Sequence, residues 1–276
     1  MLRLGNSWRR VLLISVEFLR RIARAAAEET LPRFRQFGDV TNKLSGGFDP
    51  VTEADQQAEQ AIRALIRAEY PGHGILGEEF GLENPGSDHV WVIDPIDGTR
   101  SFISGIPLWG TLVGLTHNGD AIAGMMAQPF TGELFHAIDG KAVYEGPGGT
   151  RPLSTRKVVS LADATLCTTT PALFMDARRS AYDRLEKAVR LPRYGTDCYA
   201  YAMLAAGHVD LVVEVGLQNY DIVALVPIVE AAGGMITDWH GGPAEAGGEI
   251  VAAATPELHA AAMHILHEEA PSAVAG

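Results

Sequence analysis

Cysteine is nearly missing from this chain: Cys167 and Cys198 are the two present. They are too few for a disulfide framework, and the composition fits a reducing cytoplasm. Positive charge is also scarce, with 22 Lys and Arg against 34 Asp and Glu and a formal charge of −12. That deficit argues against a nucleic-acid partner, because phosphate backbones are held chiefly by Lys and Arg clusters. No apolar run approaches the roughly 20 residues of a membrane span, so no membrane partner is expected. Val11 to Ile14 is too short for a signal-peptide core, although Arg3, Arg9, Arg10, Arg20, Arg21 and Arg24 give the N-terminus a basic look. An organellar presequence is the weaker alternative to an ordinary first helix.

What is present supports a large packed interior. The chain has 276 residues, 47% of them apolar, enough for one large domain or two halves sharing a core. Leu12, Val16, Leu19, Ala23 and Ala26 recur at helical spacing. Thr52-Glu53-Ala54-Asp55 has the capping-box pattern, and a helix through Ala58, Ile62 and Leu65 ends at Tyr70-Pro71-Gly72. From Trp109 to Glu145, short apolar segments divided by Asn118-Gly119, Gln128-Pro129 and Asp139-Gly140 predict an antiparallel meander. Gly146-Pro147-Gly148-Gly149 suggests a boundary between an N-terminal half, 1–146, and a C-terminal half, 147–276. Beyond it, strands are expected at 165–169 and 210–214, and helices at 177–190 and 198–206. A further helix from Asp221 to Ala232 contains Pro227, which should kink it.

The chemistry concentrates in Trp91-Val92-Ile93-Asp94-Pro95-Ile96-Asp97-Gly98-Thr99. A buried strand over 90–93, stopped by Pro95 and Gly98, would present Asp94 and Asp97 at its exit. Hard divalent cations want several carboxylate oxygens in one place. A helix starting after Gly98 would add backbone NH groups as an anion cradle beside them. The bland alternative is a turn and a helix cap. A second short apolar segment, 74–76, also ends in acid at Gly77-Glu78-Glu79, and Asp221 opens an apolar run, where an N-cap role alone would explain it.

Taken together, Glu78, Asp94, Asp97 and Asp221 resemble the inositol monophosphatase superfamily of Mg²⁺-dependent phosphatases. The resemblance is carried by 91–102 (WVIDPIDGTRSF), 219–234 (NYDIVALVPIVEAAGG), 49–55 (DPVTEAD) and Gly77-Glu78-Glu79, in that family's order along the chain. Residues 102–115 and 197–201 look most like its histidinol-phosphate phosphatase branch. The resemblance implies an α/β (α+β) fold, a layered αβαβα sandwich, with the site between the halves and a homodimer as the expected assembly. It implies Glu78, Asp94, Asp97, Asp221 and the main-chain carbonyl of Ile96 as ligands of two or three Mg²⁺ ions, which would supply the positive charge the chain lacks. It implies that Thr99 holds a metal-activated attacking water, with Asp55 or Glu78 behind it, and that Gly98 and Thr99 cradle the phosphate.

The substrate implied is a small phosphate ester, L-histidinol phosphate on the histidine-biosynthetic route. Inositol 1-phosphate or a broad range of small esters is the close alternative, with bisphosphonucleotide or fructose bisphosphate further behind. By the same resemblance Glu214 contacts the substrate, and Asp197 is positioned to pair with the ammonium of histidinol phosphate, a contact that a polyol cannot make. Each role has a local competitor: Asp55 as a capping-box acid, Asp197 as an N-cap, Glu79 as a local hydrogen-bond former, and Lys43, matched to a family lysine near the site, as a solvated loop residue. Arg193 and Tyr194 are weaker candidates for the rim. A non-catalytic Mg²⁺- or anion-binding protein of the same fold is disfavoured by the presence of both Asp55 and Thr99. The three-residue spacing of the carboxylates, not two, disfavours an aspartyl-phosphate mechanism. Six positions after each cysteine stands Leu173 or Leu204 rather than Arg, which excludes a Cys-dependent phosphatase, and no His-Glu-x-x-His arrangement occurs.

Overall fold

Phe18, Leu19, Ile22 and Ala26 form the buried stripe of the first helix, α1 (Val16–Thr30). The computed structural model describes residues 14–36, 40–42 and 50–268, so Leu12 and Lys43 lie outside the described residues. The paired strands β1 (Val40–Asn42) and β2 (Pro50–Thr52) lead into α2 (Glu53–Glu69). Its capping box forms as the spacing predicts: the Thr52 NH donates to Asp55 Oδ2 at 2.8 Å, and Thr52 Oγ1 accepts the Ala54 NH at 3.2 Å.

The next strands are β3 (Gly74–Gly77), β4 (Gly81–Glu83), β5 (His89–Asp97), β6 (Gly110–His117), β7 (Asp120–Gln128), β8 (Glu133–Ile138), β9 (Lys141–Gly146) and β10 (Gly149–Pro152), with a short helix α3 (Thr99–Ile103) after β5. They form one sheet in the order β10-β9-β8-β7-β6-β5-β3-β4. β6 to β9 make the expected meander, turning at Asn118-Gly119 and Asp139-Gly140, all four with positive φ. β3 runs parallel to β5, which brings the ends of both strands to one edge. The Gly146–Gly149 stretch, which in sequence looks like a division, is the turn of the β9–β10 hairpin, and the sheet continues to Pro152. Gly and Pro serve a tight turn as well as a linker.

The second sheet follows from β11 (Thr165–Thr168), α4 (Asp176–Ala188), β12 (Leu191–Tyr194), α5 (Tyr199–Ala205), β13 (Leu211–Leu217), α6 (Asn219–Ile222), α7 (Leu225–Ala231), β14 (Met235–Asp238), β15 (Gly248–Ala253) and α8 (Pro256–His267). Its order is β12-β11-β13-β15-β14, with β11 parallel to both neighbours. The single kinked helix expected from Asp221 to Ala232 is instead two helices, broken at Val223 and Ala224. Pro227 falls in the first turn of α7, where an NH would have no partner within the helix, so it kinks nothing.

Among the described residues, three of four buried apolar clusters lie between the five layers, one of them spanning both faces of the middle helices. Phe18, Ile22, Ile62 and Ile66 pack on Trp91, Val113 and Met125 of the first sheet. Leu112, Met126 and Phe135, on its other face, meet Leu204, Leu225 and Ile228, which in turn meet Val212, Ile250 and Ala252 of the second sheet. Val213 and Val251 face outward onto Tyr182, Leu185, Leu258 and Leu266. Strand alternation sends Leu112 and Val113, or Val212 and Val213, to opposite cores, and each fully buried side chain of this size contributes about 1.5–3 kcal/mol. The result is an αβαβα sandwich. Gly114 and Gly124 are paired across β6 and β7 beneath the α6–α7 break. A Cβ on Gly124 would lie 2.0 Å from the Ala224 carbonyl oxygen. Backbone therefore rests directly on the sheet there, and α6 packs against β5 and β6. Among the described residues no helix is long and apolar enough to cross a membrane.

Candidate active site

Pro95 and Gly98 predict a strand that stops before Asp94, but β5 continues through Asp97. Asp94 stands opposite Leu112 and Asp97 opposite Gly110, so the register slips by one residue between them. Such a bulge re-aims side chains, and Pro95, with no NH to give the ladder, sits within it. The Pro95 carbonyl accepts from Thr111 Oγ1 at 2.8 Å, and Asp94 Oδ1 accepts the Ile96 NH at 3.0 Å. Gly98 follows with φ of 82° and caps α3. A side chain there would be strained, and its Cβ would lie 3.1 Å from Asp197 Oδ2. Thr99 Oγ1 donates to the Ile96 carbonyl at 3.1 Å.

Asp94, Ile96, Asp97, Gly98 and Thr99 line a cavity of about 830 Å³ together with Glu78, Asp197, Glu214 and Asp221. Asp94, Asp97 and Asp221 each bring a carboxylate oxygen within 4.8 Å of the others, and no other such acid, His or Cys group occurs among the described residues. Asp221 is not the N-cap of its helix. Gln218 is, and Asp221, three positions on, accepts the Gln218 NH at 2.7 Å. Burial, then the charges of Glu78, Asp97 and Asp221, hold Asp94 well above the usual carboxylate range. Burial, Asp197 and Asp221 do the same to Asp97, opposed by its contact with Cys198, whose NH donates to Asp97 Oδ2 at 2.6 Å. Converging carboxylates of this kind, Asp94 buried and Asp97 and Asp221 half-buried, suit a hard divalent cation, whose charge offsets their repulsion.

Asp55 does not line the cavity. Its Oδ2 accepts the Thr52 NH at 2.8 Å and Thr52 Oγ1 at 2.6 Å. Burial pushes its carboxyl up to about 7, against those hydrogen bonds, with the charges of Glu79 and Glu78 adding to the rise.

Also lining the cavity, Glu214 is buried on β13 and Asp197 is half-buried ahead of α5. Asp197 is not a helix cap: Cys198 takes that position, and Asp197 has φ of 42°. Its Oδ2 accepts from Ser101 Oγ at 3.0 Å and its Oδ1 from Thr169 Oγ1 at 3.2 Å. Glu214 Oε1 accepts the Thr169 NH at 2.6 Å and lies 3.0 Å from the same Thr169 hydroxyl, so one hydroxyl proton serves two acids. Burial raises both, Glu214 to about 8, and the Asp197 charge adds to the Glu214 shift. Arg178 and Glu249 bond across the mouth. Arg193 and Tyr194 do not line the cavity, and Tyr194 OH donates to Glu186 at 2.6 Å.

Ser101, Thr169 and Glu59 escape the sequence reading. Ser and Thr are too common for their type to flag them. Glu59 carries a usable signal, a charged residue between Ala58 and Ile62 on the apolar face of α2.

The inositol monophosphatase family model matches residues 14–270. "Bifunctional phosphatase IMPL2, chloroplastic" of Arabidopsis thaliana is 45% identical over 222 residues, 80% of this chain but 63% of that protein's length. A histidinol-phosphatase of Chlorobaculum parvum is 36% identical over 70% of this chain and 73% of its own. The solved structure of an inositol monophosphatase from Zymomonas mobilis matches with a TM-score of 0.81 at 38% identity, covering 91% of this chain and 97% of that one. With the layered fold and the converging carboxylates, these likenesses identify the chain as a member of the inositol monophosphatase family of metal-dependent phosphatases.

Proposed function

We propose that this phosphatase hydrolyses L-histidinol phosphate to L-histidinol and phosphate. The observation that carries the reading is the pair Asp197 and Glu214, two desolvated acids that line the cavity and share the Thr169 hydroxyl. An ammonium entering beside them offsets their repulsion and forms charge-assisted hydrogen bonds, whereas the hydroxyls of a polyol bring no charge. The histidinol-phosphatase relatives support the same substrate.

In this reading Glu78, Asp94, Asp97, Asp221 and the Ile96 carbonyl would hold Mg²⁺, which when bound would supply positive charge for the phosphate oxygens and acidify water. Gly98 and Thr99 offer the phosphate their backbone NH groups at the start of α3. The Thr99 hydroxyl orients the attacking water. Glu78, which lines the cavity, is better placed than Asp55 to take its proton.

Phosphate release from histidinol phosphate and from inositol 1-phosphate, measured side by side, tests the substrate. We expect wild type to prefer histidinol phosphate. Asp197→Asn, which keeps a polar partner for Ser101 and Thr169, should cut that preference about 10- to 100-fold, the size of a charged hydrogen bond, and Asp197→Ala should remove it. Preference for inositol 1-phosphate, unmoved by either change, would sink the proposal and favour the inositol phosphatase reading.

A further inference from the structure

Glu59 does not line the cavity, yet both oxygens of its buried carboxylate serve the turn that follows β3. Oε2 accepts the Glu79 NH at 2.7 Å and Oε1 the Phe80 NH at 3.3 Å. One residue earlier the Glu78 NH bonds to the Ile93 carbonyl at 3.1 Å. Glu78 therefore stands between a bond to the sheet on one side and a carboxylate anchor on the other. Gly77 makes room for that anchor, since a Cβ there would fall 1.9 Å from Glu59 Oε1.

A buried anion in this acidic neighbourhood needs a counter-charge. Arg63, one helical turn along α2, supplies it through Nε to Glu59 Oε1 at 2.7 Å, with both side chains almost fully buried. The remaining nitrogens of Arg63 reach the Gly81 carbonyl and Glu83, so the same guanidinium also holds the far end of the turn.

We infer that Glu59, backed by Arg63, is a positioning residue that fixes the turn presenting Glu78 and thereby sets the site's affinity for its divalent cation. This rests on the reading of Glu78 as a metal ligand. Groups that hold metal ligands in place alter metal affinity by about 10- to 100-fold when removed.

The test is Mg²⁺ binding to the full chain by titration calorimetry, with the Mg²⁺ dependence of kcat alongside, for wild type, Glu59→Gln, Glu78→Gln and Phe18→Leu. Glu59→Gln should raise the half-saturating Mg²⁺ concentration about tenfold, with kcat close to wild type once Mg²⁺ saturates. Phe18 packs on Tyr70 and Trp91, and its change should lower the melting temperature and leave the Mg²⁺ requirement alone. Equal Mg²⁺ shifts in Glu59→Gln and Phe18→Leu would reduce Glu59 to a merely structural role. Unchanged Mg²⁺ binding in Glu59→Gln, with weakened binding in Glu78→Gln, would overturn the positioning role alone. Unchanged binding in Glu78→Gln would overturn the ligand reading and this inference with it. Should Glu59→Gln not fold, Gly77→Ala, whose Cβ displaces the Glu59 carboxylate without removing its charge, must give the same Mg²⁺ shift or the inference fails.

Discussion

His259 of α8 is buried with Nε2 2.8 Å from Thr237 Oγ1, and burial holds its ionisation below the usual histidine range. Because unfolded histidine binds a proton near pH 6.5 and folded His259 only at lower pH, its contribution to stability is complete above about 6.5. It is lost as pH falls from there through the folded value. His73 and His89 are lowered too, His73 by burial and His89, His89 by burial and His117, and act with the same sign. We expect His259→Gln to lose less stability than wild type between about pH 7.5 and about pH 5.5 in urea titrations. An equal loss in both would show that His259 carries no pH dependence. At this scale residue types were legible and their duties less so. Asp94, Asp97, Asp221 and Asp197 all stand out in the chain, but Asp197 differs from an N-cap only through its left-handed backbone and its bonds to Ser101 and Thr169, which lie far away in sequence.

The junction of α6 and α7 shows how an element acquires its shape from what it rests on. Its backbone touches β6 and β7 at Gly114 and Gly124, and the break at Val223 and Ala224 lets α6 carry Asp221 to the end of β5. Gly124→Ala should cost about 1–3 kcal/mol through overpacking. Gly72→Ala, in open space, should stay within about 0.5 kcal/mol. Denaturant unfolding of both variants checks this, and equal losses would deny the close approach. The meander and the capping box of α2 were readable because their turn and cap residues act locally. The helix break was not, since its cause lies on strands about a hundred residues earlier in the chain. β14 and β15 also evade periodicity: each is short, and β15 ends in Ala252-Ala253, residues of low strand preference.

At the scale of the molecule, the cavity lies where the two sheets present their loops to each other. Glu78, Asp94 and Asp97 come from the first sheet, and Asp221 comes from the helix that follows the second sheet's β13. A cation held by both sets should tie them together. Saturating Mg²⁺ should raise the melting temperature of chelator-treated protein by several degrees, since a ligand at about 100 times its dissociation constant adds about 2.7 kcal/mol. Asp221→Asn retains an acceptor for the Gln218 NH, and most of that rise should vanish in it. An undiminished rise would mean that the ion does not bridge the two sets. The five layers were legible through the resemblance rather than through periodicity. Which faces meet across 276 residues is decided by packing that no local pattern encodes.

The Asp197 carboxylate bonds Ser101 of α3 on one side and Thr169, just past β11, on the other. If Asp197 selects the substrate as proposed above, one side chain is both selector and strut, and those two properties cannot be inherited separately. A lineage that exchanges Asp197 for a small residue to admit a different ester also removes a tie between its two sheets. Divergence of substrate preference at this position should therefore travel with a compensating change across the same gap, rather than as a lone substitution.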